Sequence, residues 1–306
     1  MNTEQPETET VVPDQDTGTQ PLLSVQDLQT YFFTDEGTVK AVDGASFEVH
    51  AGKTLGIVGE SGCGKSITAR SILQIIDRPG QIVGGQVKFS PNGVDGLNLL
   101  DLEPNGKEIR SIRGGEISMI FQEPMTSFSP VHTFGNQIIE AIRLHSSLEQ
   151  KEAYDLAVDW MRRVGIPSPE QRMSEYAYQF SGGQRQRAMI AMALCTDPSI
   201  LIADEPTTAL DVTTQAQILD ILQTLQKQND MSIIFITHDL GVIAEVADVV
   251  AVMYLGKVVE MGPVESIFSS PKHPYTKALL SSMPTIDAEP RARMPSITGS
   301  IPHPQN

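Results

Sequence analysis

One short segment of the sequence has the residue types and the spacing that bind phosphate. It begins at Gly59, ends at Ser66 and fits the pattern Gly-x-x-x-x-Gly-Lys-Ser/Thr. Glycines let the backbone fold around a phosphate with its N–H groups pointing inward, and a following helix adds about half a positive charge. Lys65 adds a full charge, and the Ser66 hydroxyl is an oxygen ligand for Mg²⁺. The segment therefore predicts binding of a nucleotide through its phosphates.

The residues expected to contact the nucleotide here are the whole loop and the residue after it: Gly59, Glu60, Ser61, Gly62, Cys63, Gly64, Lys65, Ser66 and Ile67. The alternative is a glycine-rich turn that contains Gly-Lys-Ser by chance. A buried strand predicted at 54–59 and a helix predicted at 66–76 argue against that alternative. Cys63 would also permit a redox role, but the pattern requires only a small residue at that position.

A second pair of reactive residues follows another predicted buried strand. Asp204 and Glu205 come directly after the apolar run 200–203. Acids at the carboxyl end of a parallel strand lie where ligands bind in open α/β sheets. Asp204 suits Mg²⁺, and Glu205 suits a general base that polarises the attacking water, which typically contributes about 10²–10⁴-fold to a rate. The alternative, a surface acid pair before a turn, loses weight once the phosphate loop is accepted.

The elements that must position these residues alternate between strands and helices. Buried strands are predicted at 54–59, 200–203, 232–237 and 249–254, and helices at 66–76, 147–164, 181–194 and 213–228. This alternation predicts an α/β fold with a mostly parallel sheet. Further strands are expected between residues 22 and 49, and strands and turns between 80 and 115. Mixed and helical sequence between the core strands predicts an inserted subdomain.

Composition and charge exclude some classes of function. The chain has 306 residues, 40% of them hydrophobic, and a formal net charge of −16. That charge argues against sequence-independent binding to nucleic acid or to an anionic membrane surface. The longest apolar runs are far shorter than the roughly twenty residues that span a membrane, and residues 1–20 do not resemble a signal peptide. Cys63 and Cys195 cannot form a disulfide framework or a zinc site by themselves. We therefore expect a cytoplasmic protein that reaches a membrane only through a partner.

Four further segments resemble the motifs of the ATP-binding subunits of ABC transporters. The segment 180–187 resembles the signature loop, 119–124 the Q-loop, 208–211 the D-loop and 236–239 the switch segment. They occur in the family's order, and the resemblance covers about residues 22–283. It implies an α/β P-loop NTPase (RecA-like) core with a mostly parallel sheet, an antiparallel β subdomain and an inserted α-helical subdomain at about 123–190. The ATPase domain would span 21–283, between a disordered acidic tail at 1–20 and a Pro-rich C-terminal extension at 284–306.

The resemblance assigns roles to individual residues. Gln122 would lie beside Mg²⁺ and the attacking water, and His238 would contact the γ-phosphate. Asp211 would cross the interface of a dimer. The signature loop would face the ATP held by the opposite subunit, with a serine N-cap and glycines that let N–H groups approach phosphate; it comprises Ser181, Gly182, Gly183 and Gln184.

An aromatic residue of the first strand is expected to stack on adenine. Counting back from residues 40–42 favours Phe32 over Tyr31, although either ring could equally belong to the core.

Other segments resemble one branch of this family, the oligopeptide/dipeptide/nickel importer ATPases. They are residues 109–114, 121–127, 206–217 and the sequence His273-Pro-Tyr-Thr276. By itself the last of these is explained by the start of a helix. The resemblance implies ATP and Mg²⁺ as cofactors and peripheral attachment to the cytoplasmic face of the cell membrane. Its implied partners are two transmembrane permease subunits, a second and related ATPase subunit, and an extracytoplasmic solute-binding protein. The resemblance favours peptides as the transported solute, and oligosaccharides and nickel chelates are the alternatives.

The sequence departs from the family's pattern in two places. Ile67 replaces the threonine common after the loop serine, which removes one hydroxyl but keeps the backbone N–H. Some relatives carry a cysteine-rich C-terminal segment, and the sequence has no cysteine beyond Cys195, so we expect no iron–sulfur cluster.

Two rival classes of protein are the alternatives. A soluble ABC ATPase of DNA repair or translation would share the ATP motifs. A P-loop kinase or GTPase would explain Lys65 and Asp204 but not the signature loop.

Overall fold

The computed structural model describes residues 20–91, 96–122, 127–208 and 210–282. Within these ranges the strands are β1 Leu23–Thr34, β2 Gly37–Val49, β3 Thr54–Val58, β4 Gly80–Phe89, β5 Leu97–Asn98, β6 Ile117–Ile120, β7 Ile200–Asp204, β8 Ser232–Ile236, β9 Val249–Tyr254 and β10 Lys257–Pro263. The helices are α1 Lys65–Ile72, α2 Lys107–Ile112, α3 Phe134–His145, α4 Gln150–Arg163, α5 Pro169–Arg172, α6 Gly182–Leu194, α7 Val212–Asn229, α8 Leu240–Val246, α9 Val264–Ser269 and α10 Pro274–Ser281.

These elements divide into two compact units. The described part of the first unit contains residues 20–50, 54–91, 96–100 and 237–282. That of the second contains 51–53, 101–122, 127–208 and 210–236. In the described ranges, no helix is both long and apolar enough to cross a membrane.

An antiparallel sheet forms one part of the first unit. Its strand order is β2-β1-β4-β5, so β2 lies at an edge. One face of the sheet is apolar, because Leu23, Val25 and Leu28 of β1 and Val87 of β4 are all buried. The strands predicted between residues 22 and 49 are confirmed, and they pair antiparallel.

The other strands of the first unit position the phosphate loop. β3 pairs in parallel with β9, which in turn pairs antiparallel with β10. All five residues of β3 are buried, as expected for a parallel strand covered on both faces. The chain leaves β3 at Val58 and enters α1 at Lys65. Helix α1 ends at Ile72 rather than at 76 as predicted, because Gln74 adopts a left-handed backbone with φ 51°.

A parallel sheet and its helices form the second unit. β7 pairs in parallel with both β6 and β8, and every residue of β7 and β8 is buried. The predicted parallel strands are therefore confirmed. Helix α2 was not predicted, because residues 80–115 were expected to contain strands and turns. It forms because Ile109 and Ile112, three residues apart, are both buried on one face.

Helices α3, α4 and α6 surround an aromatic core of the second unit. Trp160 of α4 is 1% exposed. The Phe134 ring of α3 lies between Phe128 and Phe180, at centroid distances of 4.5 and 4.1 Å. Helix α4 begins at Gln150 rather than at 147, because Glu149 and Glu152 form a capping box.

Candidate active site

Two glycines of the phosphate loop lie where no side chain fits. Gly59 has φ 154°, and a Cβ built on it would lie 2.2 Å from the carbonyl oxygen of Met253. Gly64 has φ 102°, and its Cβ would lie 2.2 Å from the carbonyl oxygen of Ala41. Both positions combine a left-handed backbone with close backbone approach, which only glycine permits. These are the two glycines that the sequence pattern fixes, so the pattern has a steric cause within the first unit.

Lys65 begins helix α1 and turns its side chain back over the loop. Its ammonium group donates to the carbonyl oxygens of Gly59 at 2.8 Å and Glu60 at 2.9 Å. The side chain is buried, with 5% of the residue exposed. Helix α1 has no acid in its first turn, so the positive end of the helix dipole and the ammonium act together. This arrangement suits an anion such as a nucleotide phosphate.

Cys63 has the properties of a small structural residue. Burial raises the pKa of its thiol above the ordinary value of 9.0, although the nearby Lys65 opposes that shift. The thiol therefore stays protonated at neutral pH, and a thiol is a far weaker nucleophile than a thiolate. This state gives no support to the redox alternative.

The acid pair lies at the end of β7, as predicted. Asp204 is the last residue of the strand, lies opposite Ile236 of β8 and is 1% exposed. Glu205 has a left-handed backbone, with φ 47°, and its N–H donates to the carbonyl of Ile236 at 2.9 Å. A left-handed backbone is strained for a residue other than glycine, and such strain occurs often at functional sites. The strained residue therefore lies directly after the end of the strand, next to Asp204.

The Glu205 carboxylate is held by two side chains of the same unit. Gln122, which follows β6, donates through its side-chain amide to Oε2 at 3.0 Å. The hydroxyl of Thr208 donates to the same oxygen at 2.8 Å. The family resemblance implies that Gln122 lies beside the water that Glu205 is predicted to polarise, and the structure brings these two side chains together. The sequence analysis did not predict the contact between Thr208 and Glu205. The only signal for it was a hydroxyl three residues after the acid.

The signature loop is the N-terminus of helix α6. Ser181 is the N-cap, and its hydroxyl accepts the N–H of Gln184 at 3.3 Å. Gln184 forms the reciprocal bond of a capping box, because its side-chain oxygen accepts the N–H of Ser181 at 3.0 Å. Ser181 and Gly182 are exposed, whereas Phe180 is buried on Phe134. The serine N-cap is therefore confirmed, and an exposed helix N-terminus of this kind suits an anion.

Asp211 is the N-cap of helix α7. It accepts the hydroxyl of Thr214 at 2.7 Å and the N–H of the same residue at 3.0 Å. These two bonds hold the pKa of its carboxyl below the ordinary value. The next residue, Val212, is 84% exposed. The proposed place of Asp211 in a dimer interface stays a prediction.

His238 and Phe32 belong to the first unit. His238 is exposed in the turn between β8 and α8, one residue before Asp239, the N-cap of α8. Phe32 is half-buried in β1, and its ring lies against Gly80 of the neighbouring strand β4. The alternative ring, Tyr31, donates its hydroxyl to Asp43 at 2.6 Å, and this bond is the largest of the causes that raise its pKa to about 12. The roles of His238 and Phe32 stay predictions.

The two residues predicted to ligate Mg²⁺ each carry an oxygen donor, Ser66 in the first unit and Asp204 in the second. Ser66 offers a hydroxyl and Asp204 a buried carboxylate, both hard oxygen donors. Among the described residues no three His, Cys, Asp or Glu side chains are grouped so that they could hold a metal by themselves. Mg²⁺ is usually bound through one or two protein oxygens, water and substrate phosphates, so a hydroxyl or a carboxylate of this kind suits it.

A phosphate loop, an acid pair after a buried parallel strand and a capped signature loop are the features of an ATP-hydrolysing P-loop protein of the cassette type. Two family models match the chain: "ABC transporter" over residues 42–208 and "Oligopeptide/dipeptide transporter, C-terminal region" over 259–306. The chain therefore belongs to the ABC transporter family, with the C-terminal region of its oligopeptide/dipeptide branch.

Individual proteins agree with the family models. The chain is 50% identical to the oligopeptide transport ATP-binding protein OppD of Bacillus subtilis, over 92% of this chain and 77% of that protein. It is 49% identical to the probable peptide ABC transporter ATP-binding protein y4tR of Sinorhizobium fredii, over 92% and 82% respectively. A dimeric post-hydrolysis structure of the ATP-binding cassette MJ0796 bound to ADP and Pi aligns with a TM-score of 0.69 at 22% identity. It covers 79% of this chain and 98% of that one, and it confirms the predicted fold.

Proposed function

We propose that this chain is the ATP-hydrolysing subunit of an importer that carries oligopeptides or dipeptides across the cytoplasmic membrane. The observation that carries the proposal is the match of residues 259–306 to the oligopeptide/dipeptide transporter region, on a chain that also matches the ABC transporter model. Relatives of 49% and 50% identity are named for peptide transport, which supports peptides over oligosaccharides or nickel chelates as the cargo.

The phosphates of ATP are bound by the loop at 59–67. Its backbone N–H groups surround the phosphates, and the ammonium of Lys65 moves from the loop carbonyls to the β- and γ-phosphates. The hydroxyl of Ser66 and the carboxylate of Asp204 would ligate Mg²⁺, and the side chain of Gln122 would belong to the same site. When bound, the ion neutralises phosphate charge and orients the leaving group. The chemistry of the donor set supports these assignments.

Glu205 is the general base of hydrolysis. Its carboxylate orients the attacking water and accepts its proton, while Gln122 and Thr208 hold one carboxylate oxygen in place. His238 contacts the γ-phosphate and helps to keep the water in line. The bonds to Glu205 support its role, because a base must be held at a fixed orientation to the reacting atoms.

A second ATPase subunit completes each site. The residues Ser181, Gly182, Gly183 and Gln184 contact the ATP held by the partner, and Asp211 crosses the interface. The exposure of Ser181 and Gly182 at a helix N-terminus supports this role, because an anion can approach their N–H groups. Phe32 stacks on the adenine of the ATP that its own subunit binds.

The remaining partners are two transmembrane permease subunits and an extracytoplasmic solute-binding protein. The chain lies at the cytoplasmic face of the membrane and is held there by the permease subunits. Its second ATPase subunit is a related but different chain. The net charge of −16 supports the absence of a nucleic-acid partner.

The test is transport by the assembled complex in sealed vesicles. The chain is purified with its permease subunits and second ATPase, and uptake of labelled peptides is measured with and without enclosed ATP. We expect uptake that requires ATP and the binding protein, and that is lost when Glu205→Gln replaces this subunit. Uptake of oligosaccharides or nickel chelates in place of peptides would contradict the cargo. ATP hydrolysis with no effect of any permease subunit would contradict the importer.

A further inference from the structure

A tyrosine from the C-terminal part of the first unit contacts the phosphate loop. The hydroxyl oxygen of Tyr275 accepts the backbone N–H of Glu60, the second residue of the loop, at 3.1 Å. Tyr275 is 7% exposed, and burial is the largest cause that raises its pKa to about 12. The hydroxyl is therefore neutral at physiological pH. This contact ties the loop to residue 275 of the segment 273–276, which the sequence marked only by resemblance.

The peptide groups of Glu60 connect this contact to the rest of the loop. The Glu60 carbonyl accepts the ammonium of Lys65 at 2.9 Å and the N–H of Cys63 at 3.3 Å. The Cys63 carbonyl in turn accepts the N–H of Gly256 at 3.0 Å. A rotation of the Glu60 backbone would therefore displace both the loop turn and the lysine that binds phosphate.

Tyr275 is itself held by His273 and Tyr254, and Glu260 fixes the turn that precedes it. Glu260, 5% exposed in β10, accepts the N–H groups of Lys272 at 2.7 Å and His273 at 3.0 Å. His273 is the N-cap of α10, and its Nδ1 accepts the N–H of Tyr275 at 3.2 Å. The Tyr275 ring lies 4.3 Å from that of Tyr254 at the end of β9. The hydroxyl is thus held at a defined position opposite the loop.

We propose that Tyr275 is a positioning residue for the phosphate loop: by accepting the N–H of Glu60, it keeps the loop in the conformation that receives the phosphates of ATP. The inference rests on the proposed phosphate-binding role of the loop and gives the segment 273–276 a function in ATP affinity. Tyr275 acts through Glu60 and Lys65 and does not touch the nucleotide. Its removal therefore affects the binding of ATP more than the chemical step.

The test is Tyr275→Phe in the full chain, which removes the hydroxyl and keeps the buried ring. We expect the Kd for ATP, measured by titration of the purified chain, to rise about threefold to tenfold, the size expected for one lost hydrogen bond. In the transporter complex the KM for ATP should rise by a similar factor, with kcat at saturating ATP unchanged. Tyr254→Phe is the matched control, since it removes one hydroxyl from the same ring pair and keeps the bond to Glu60.

Several outcomes overturn the inference. The inference is wrong if Tyr275→Phe leaves the Kd for ATP unchanged, or if it lowers kcat and leaves the KM for ATP unchanged. It is also wrong if Tyr254→Phe raises the Kd for ATP by the same factor. Glu260→Gln is a second variant, which acts on Tyr275 only through His273. We expect it to raise the Kd for ATP by a smaller factor than Tyr275→Phe. Lys65→Ala separates the two proposals. If it leaves ATP binding intact, the proposed phosphate site is wrong; if it abolishes binding while Tyr275→Phe does nothing, only the role of Tyr275 is wrong.

Discussion

The side-chain amide of Gln122 donates a hydrogen bond of 3.0 Å to the carboxylate of Glu205. Gln122 follows β6 and Glu205 follows β7, and these strands are parallel neighbours. The carboxyl ends of parallel strands lie at one edge of a sheet, so a short extension of each strand brings the two side chains together. The base proposed for hydrolysis is therefore held by the residue proposed to lie beside the metal and the water.

Glu205→Gln should keep ATP binding and lose hydrolysis. The amide has nearly the shape of the carboxylate but cannot accept a proton, so we expect turnover to fall about 10²–10⁴-fold. The ATP-bound complex should then accumulate as the closed dimer, which size-exclusion chromatography with ATP would detect. Glu140→Gln, on an exposed position of α3, is the control. Undiminished phosphate release by Glu205→Gln would remove this residue from the role of base.

Ser181→Asp separates the structural role of the signature serine from its proposed contact with phosphate. Aspartate is as good an N-cap as serine, so the thermal stability of α6 and of the chain should be kept. A negative charge about 4 Å from a phosphate costs about 4 kcal/mol at an effective dielectric constant of 20, so ATPase activity should fall at least about 10²-fold.

The matched control for this substitution is Thr133→Asp. Thr133 caps α3 through the same kind of bond, to the N–H of Asn136 at 3.3 Å, and has no proposed contact with ATP. Thermal unfolding and ATPase assays on both variants test the prediction. Equal activity of the two variants would contradict the proposed contact between Ser181 and a phosphate.

Substitutions of two loop glycines should differ in their effect on folding. Gly59→Ala places a Cβ 2.2 Å from the Met253 carbonyl, whereas a Cβ at Gly62 has no atom within 4 Å. Both positions have positive φ, which costs about 1–2 kcal/mol for alanine. Overpacking adds about 1–3 kcal/mol at Gly59 alone. Chemical denaturation should therefore show a clearly larger loss for Gly59→Ala; equal losses would mean that the Met253 contact does not restrict this position.

Glu260 should make the stability of the first unit depend on acidity. Burial by itself raises the pKa of this carboxyl, but hydrogen bonds, including those from the N–H groups of Lys272 and His273, lower it below the ordinary value of 4.5. A carboxyl whose pKa is lower in the folded state stabilises that state above its unfolded pKa. That contribution is lost as the pH falls through the folded value.

The measurement for Glu260 is the free energy of unfolding of wild type and Glu260→Gln against pH. The difference between them should be constant from neutral pH to about pH 5 and should shrink below about pH 4.5. Glu265→Gln, at an exposed position of α9, is the control. A difference that grows as the solution becomes more acidic would contradict the assigned sign.

Local patterns allowed much of this structure to be predicted. The strand before Asp204 is a short apolar run, and the cap at Ser181 is a serine followed by two glycines and a glutamine; both patterns lie within a few residues of the feature that they predict. The contact of Tyr275 with Glu60 joins residues 215 positions apart, and no periodicity encodes such a distance. The end of α1 was also missed, because the left-handed backbone of Gln74 depends on its surroundings and not on an obvious stop residue.

The aromatic contacts beside the signature loop have a mechanical consequence. The Phe180 ring lies 4.1 Å from Phe134, the first residue of α3, and Ser181 follows Phe180 directly. Close-packed rings cannot slide past each other without opening a void, which is energetically costly. A displacement of the N-terminus of α3 would therefore also displace the Ser181 cap, because the packing of Phe134 against Phe180 would deform little.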